Sequence, residues 1–349
     1  MKPGSRMSSK RTGRKSNATG EAKAGTKVGT NTGATRNGTR LSLVSTSGLV
    51  IEATTAADDG LLEEFYRDYD GAFVLENEKE GYDGFAECLG LNAGDQYANL
   101  VGRYGPFREF VTVVRDPATG ARLGGANFII FPVSPATARE LVLSINLNYV
   151  FVNTQLRRKG ILRQLMGDLP ALAFRLFAQT NAADLPKVPR GVSEPQVYIF
   201  IEQNDPFRMS RDDYERDTEL TGLDQVARIG LWSRLGARIV DFPYVQPPLS
   251  KDQGADDTLA YAVLGARDAD LDACLLRAHL ERFFGISVLK GADLSVEPTA
   301  AAQLSELAIC CKEKRRVLLL DGNVPVIESA LAKTAKRPAT LREALRKSK

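Results

Sequence analysis

Histidine is almost missing from this 349-residue chain: His279 is the only one, and the four cysteines show no CxxC spacing, which excludes the usual zinc-binding patterns. Cys88, Cys274, Cys310 and Cys311 do not read as a disulfide framework either, so free thiols in a reducing compartment are expected. Cys310 and Cys311 are neighbours on a helical stretch and would face different ways, which argues against a working pair. No run of about 18 apolar residues occurs, so no membrane span is expected, and the N-terminus lacks the apolar core of a secretion signal. A cytoplasmic protein is the simplest expectation. Acids are scarce at the start: residues 1 to 40 hold ten Lys/Arg against the single acid Glu21, leaving about −6 on the rest of a chain whose net charge is +3.

What is present is ordinary for a folded protein. The 43% hydrophobic content can build a real core, in one large domain or two smaller ones. Residues 1–45 are nearly all Gly, Ser, Thr, Lys, Arg and Asn and cannot repay the entropy of ordering, so they read as a disordered basic tail. Residues 1–40 could attract polyanions such as nucleic acid in a salt-dependent way. A transit peptide would also be basic and acid-poor, but this stretch has no amphipathic apolar face.

Globular text begins at Gly48 with the strand-like LVIEATT, a helix from Leu61 to about Tyr69, and short helices at 81–89 and 96–103. FVTVVRD and LGGANFIIF, separated by a Pro/Gly turn, read as a hairpin. In Leu141 to Met166, strand formers at Val142, Ile145, Leu147, Tyr149, Phe151 and Val152 run into Arg157, Arg158, Lys159 and Gly160. A helix marked by Ile161, Leu162, Leu165 and Met166 follows. Unpaired amides and the positive end of that helix favour an anion such as a pyrophosphate.

This strand, basic turn and helix resemble the acyl-CoA-binding motif of the GNAT superfamily of N-acyltransferases, which reads Gln or Arg, two residues, Gly, one residue, then Gly or Ala. Arg157 and Gly160 match, and Leu162 stands where a small residue is expected. ARIGLWSRLGARIVDF resembles a second family motif, with Ala237 in place of an aromatic and Trp232 where the family has a tyrosine acid. The resemblance implies an α/β (α+β) fold: a mixed, mostly antiparallel central sheet with splayed central strands, flanked by helices. It spans residues 46–267, with residues 268–349 as a C-terminal, mainly helical extension. It also implies acetyl-CoA or another acyl-CoA as co-substrate, and a small-molecule amine or protein amine as acceptor, with no metal. The cofactor would be held by amides of Arg157, Arg158, Lys159, Gly160, Ile161 and Leu162. Backbone amides near Asn148, Tyr149 and Val150 would polarise the thioester.

Catalytic candidates come from the strand VYIFIEQNDP, because ligands of open α/β sheets bind outside strand carboxyl ends. An alkylamine with a pKa near 10.4 is mostly protonated at pH 7, so a carboxylate must take its proton. Glu202 is the first candidate and Asp205 the second, with the turn-capping role of strand-end acids as the alternative. Either Tyr244 or Tyr214 replaces the missing tyrosine acid, or the thiolate, with a thiol pKa near 8.5, leaves unaided; Asn204 and Gln246 are candidates for substrate contact, the latter in the rigid segment YVQPPL. The acidic segment 209–224 reads as a solvated loop or as an acidic lip attracting a cationic amine. His279 and Trp232 read as structural. Two other classes stay open: a CoA-binding or regulatory module of this fold without turnover, and a nucleic-acid-associated protein using its basic tail.

Overall fold

The computed structural model describes residues 33–35, 38–73, 79–133, 141–181, 195–249 and 253–347. Among these, eleven strands form one sheet in the order β1-β2-β3-β4-β5-β6-β7-β9-β8-β11-β10. They are β1 (Gly33–Thr35), β2 (Gly38–Val44), β3 (Val50–Thr54), β4 (Arg108–Arg115), β5 (Arg122–Pro132), β6 (Val142–Val152), β7 (Gln196–Asn204), β8 (Arg238–Val240), β9 (Leu259–Leu264), β10 (Asp270–Asp272) and β11 (Arg316–Asp321). Only β6 and β7 pair in parallel; the other pairs are antiparallel. The mixed, mostly antiparallel α/β architecture is therefore as expected.

Strand alternation gives the sheet two apolar faces. On one, Leu143, Ile145 and Leu147 of β6 and Val197, Ile199 and Ile201 of β7 pack under helix α4 (Ile161–Thr180). That helix inserts Ile161, Leu165, Leu169, Leu172 and Leu176, spaced three or four apart as one helical stripe. The other face carries α1 (Gly60–Ala72), α2 (Tyr82–Gly90) and α3 (Gly94–Tyr104), joined by α7 (Ala273–Phe283) with its π-turn at Phe284–Val288. Helix α1 starts where Asp59 accepts from the Leu61 amide at 2.9 Å, one of the orphan donors of a helix start.

Three expectations change. Strands β1 and β2 lie inside the stretch read as a disordered tail; Leu41 and Leu43, each 1% exposed, alternate with polar neighbours and pair β2 with β3, which low overall hydrophobicity concealed. Residues 1–32, 36 and 37 of that tail, and the Pro/Ala-rich segment 182–194, lie outside the described residues. The acidic segment 209–224 is not a loop: Ser210 caps helix α5 (Arg211–Thr221), in which Arg211 pairs Glu215 and Arg216 pairs Asp213. Asp217, buried there, pairs with Arg228 of α6 (Gln225–Arg234) at 2.7 Å.

The third concerns cysteine. Cys274 opens α7 and Cys311 lies near the end of α8 (Pro298–Lys312), and the two form a disulfide with Cα atoms 4.7 Å apart. Spacing along the chain could not show this, because packing of α7 on α8 brings the two together. Cys88 and Cys310 are free. A disulfide of this kind persists in oxidising surroundings, against the expectation of a reducing compartment. Strand β11 pairs with β8 (Leu319 opposite Val240), while α9 (Val324–Leu331) and α10 (Leu341–Arg346) bring Ile327, Leu341 and Leu345 into the core under α4. No helix among the described residues is long and apolar enough to cross a membrane.

Candidate active site at the opening between two central strands

The parallel ladder of β6 and β7 begins at Val142 opposite Gln196 and stops at Asn146 opposite Phe200. Both strands continue, β6 to Val152 and β7 to Asn204, so beyond that point they diverge. The cause on the β6 side is a bulge: Asn127 of β5 pairs with Tyr149 and Phe128 with Leu147, leaving Asn148 as the extra residue. Asn148, Tyr149 and Val150 are partly exposed within an otherwise buried strand.

The basic turn lies after β6. A short 3₁₀ turn, Thr154–Leu156, leads to Arg158 with φ 65 and Gly160 with φ 83 and ψ 0, the left-handed cap that starts α4. Space around Gly160 is open, so the glycine is needed for its φ and not for room. Arg157, Arg158, Lys159 and Gly160 are exposed. Arg157 donates to the Thr221 carbonyl at 2.9 Å and so docks the end of α5 beside the turn. Ile161 is buried, and Leu162, the residue in the small-residue position, packs against the core under α4. Its side chain therefore turns inward, and the amides of the first helical turn are the groups a phosphate would use.

Across the opening, Glu202 of β7 shares a face with Phe200 and lies opposite Tyr261 of β9. The Tyr244 hydroxyl donates to Glu202 Oε1. Tyr244 stacks on Tyr261 with ring centres 4.4 Å apart, and Tyr261 stacks on Phe200 at 5.4 Å. Burial pushes the Glu202 carboxyl up to about 7; the Tyr244 hydrogen bond works the other way, and Asp256 nearby adds to the rise. The residue itself is partly exposed, so a carboxylate poised near neutrality can still be reached. Gln246 bridges Asp256 through two backbone hydrogen bonds of 2.8 and 2.9 Å, which holds the YVQPPL segment beside Glu202. Asn204 is buried at the end of the same strand.

Asp205 has another task. Its side chain accepts from the amides of Phe207 at 2.9 Å and of Leu341 at 2.8 and 3.0 Å, closing the turn after β7 and capping the start of α10. Two percent exposed and filled by backbone donors, it fits the strand-end capping role and not that of a base. Tyr244 is a poor proton donor to a thiolate, because burial raises its hydroxyl well above the ordinary phenol value. Tyr214 gives its hydroxyl to Asp224 at 2.5 Å. Trp232 packs against the core, in line with its structural reading.

A buried polar row on the same face is harder to read from the sequence. Glu109 of β4, 1% exposed, accepts from Asn127 Nδ2 at 2.6 Å, Asn148 Nδ2 at 3.2 Å and Ser287 Oγ at 3.2 Å. Burial lifts its carboxyl to about 7 against these hydrogen bonds. Farther along, Asn146, Tyr261, His279 and Ser144 continue the row. His279 is fully buried, and desolvation holds it well below its usual pKa, hence neutral. The available signal was the three asparagines, Asn127, Asn146 and Asn148, within otherwise apolar strands, ANFIIF and SINLNYVF.

No family model and no curated protein matches the chain. Among solved structures, a Bordetella pertussis protein assigned to the GnaT family of acetyltransferases is similar over 64% of this chain and 98% of its own, at 13% identity and a TM-score of 0.28. An N-acetyltransferase of Staphylococcus aureus Mu50 is similar over 58% of this chain and 93% of its own, at 16% identity and a TM-score of 0.21.

Proposed function

We propose that this protein is an acyl-CoA-dependent N-acyltransferase that moves an acyl group, acetyl in the simplest case, to a primary amine by direct transfer in a ternary complex. One observation carries the reading: β6 and β7 part beyond Asn146 and Phe200, with the Asn148 bulge on one rim and Glu202 on the other. Such an opening fits the extended arm of an acyl-CoA, and the first turn of α4 offers amides to its pyrophosphate. The acceptor is a small-molecule or protein amine.

Glu202 takes the proton of the attacking ammonium, a step worth typically about 10² to 10⁴ in rate. The nitrogen forms its bond to the acyl carbon while the bond to sulfur breaks, its second proton passes to solvent, and amides near Asn148 to Val150 stabilise the oxyanion between. The thiolate leaves unaided, which a thiol pKa near 8.5 permits. Calorimetry with acetyl-CoA and a thiol-release assay over a panel of amines test this: binding in the micromolar range and amine-dependent release are expected. Absence of both binding and release defeats the proposal.

A second reading, a CoA-binding module without turnover, is favoured by the commitment of the Tyr244 hydroxyl to Glu202 and by Trp232 packing in the core. Binding without release, indifferent to Glu202→Gln, marks that outcome.

A further inference from the structure

The buried polar row has a direction, which follows from its donors. Asn127 Nδ2 gives to Glu109 Oε1 at 2.6 Å and to the Phe110 carbonyl at 3.0 Å, so Asn127 Oδ1 accepts from Asn148 Nδ2 at 2.9 Å. With its amide nitrogen used toward Glu109, Asn148 accepts from Asn146 Nδ2 at 2.8 Å through Oδ1. That leaves Asn146 Oδ1 to accept the Tyr261 hydroxyl at 2.6 Å. Having given its proton, Tyr261 Oη must receive from His279 Nε2 at 2.6 Å, and His279 Nδ1 then accepts from Ser144 Oγ, also at 2.6 Å. From Ser144 onward every donor points toward Glu109, an acceptor that fixes the sense of the whole row.

We propose that Glu109 is the positioning residue of the β6–β7 opening: through Asn127 and Asn148 it pins the bulge, and through the row it ties the bulge to His279 on α7. The inference rests on the reading of that bulge as the thioester-facing rim. Three strand positions from β7 and 1% exposed, Glu109 does not touch the reacting atoms, so its effect is on geometry. The Asn148 side chain is held by three partners, Glu109, Asn127 and Asn146, and its own backbone is the extra residue of the bulge. Other groups around the carboxyl serve its enclosure: Asn92 brackets the Glu109 backbone, accepting its amide at 2.9 Å and donating to its carbonyl at 2.9 Å. Cys88 of α2 and the charge of Glu80 are the titratable neighbours, and Lys290 in turn faces Cys88.

The test compares wild type, Glu109→Gln and Glu109→Ala in the full chain. Glutamine keeps an acceptor toward Asn127 and Asn148 and can donate to Ser287 Oγ, whereas alanine takes one acceptor from each asparagine amide and leaves Asn127 only the Phe110 carbonyl and Asn148 only Asn127 Oδ1. Hydrogen exchange of the segment 146–150 is read against β9 (259–264), together with the dissociation constant for acetyl-CoA. In Glu109→Ala, exchange at 146–150 rises at least tenfold more than at β9 and acetyl-CoA binds at least tenfold more weakly; Glu109→Gln stays within about threefold of wild type in both. Equal loss of protection in both segments, failure of Gln to restore, or unchanged affinity in Glu109→Ala overturns the inference. Should Glu109→Ala not fold, Asn148→Ala at its partly exposed position must reproduce the same local exchange and affinity change. A wild type that binds no acetyl-CoA defeats the proposed function, while the exchange comparison still decides the role of Glu109.

Discussion

The Tyr244 hydroxyl donates to Glu202 across 42 positions of sequence, joining the YVQPPL segment to the carboxyl half of β7. This one contact both lowers the carboxyl's proton affinity and uses up the hydroxyl that would otherwise serve a leaving group.

Removing the carboxylate with Glu202→Gln is expected to cut acyl transfer about 10² to 10⁴-fold and to abolish the limb of the kcat/KM profile that rises through about pH 7. Tyr244→Phe is expected to move that limb to higher pH, since the hydrogen bond it deletes favours the ionised carboxylate. A limb moving to lower pH in Tyr244→Phe would contradict this account.

Asp205 separates a capping acid from a base. Asp205→Ala leaves the Phe207 and Leu341 amides without their acceptor, and unfolding should become easier by about 1–3 kcal/mol, read from urea midpoints. Turnover per folded molecule should hold. A loss of turnover without loss of stability would return Asp205 to the chemistry.

Glu109 predicts how stability changes with pH. Its folded pKa is raised to about 7 from an unfolded value near 4.3, so its contribution is fully present below about pH 4.3 and lost as pH rises through about 7. The loss is about 4 kcal/mol between the two limits. Urea melts from pH 4.5 to 8 should therefore show Glu109→Gln gaining on wild type as pH rises, and parallel curves would refute the buried, proton-holding carboxyl.

The Cys274–Cys311 bond closes a loop with a sequence separation of 37, which the chain-entropy relation values at about 4 kcal/mol, an upper bound. Cys311→Ser, or a reductant, should lower the melting temperature, and mass spectrometry of alkylated protein should count two free thiols without reductant and four with it. Four free thiols in both conditions would refute the bond.

Periodicity made the central hairpin, β6, α4 and β7 legible in the sequence, because each buries one regular stripe of apolar residues, as Leu143, Ile145 and Leu147 do. Glu202 was legible for a different reason, as an acid at a strand's carboxyl end. The disulfide and the polar row were not, since both are made by residues far apart in sequence: Ser144 and His279 stand 135 positions apart, and only packing of α7 on the sheet brings them together. Strand β2 escaped notice because two leucines among basic and small residues leave little trace in composition, although they fill the core once β3 pairs with them.

The pairing of β11 with β8 bears on how the chain can be divided. Leu319, Leu320 and Asp321 cover Val240, Ile239 and Arg238 in register, so a fragment ending near Gly265 would leave β8 bare along one side. A bare strand edge recruits whatever strand is nearby, and a second copy is the nearest. Truncation near Gly265 is then expected to yield self-associating material, and laboratory work on isolated chemistry should keep the chain through at least its last sheet strand.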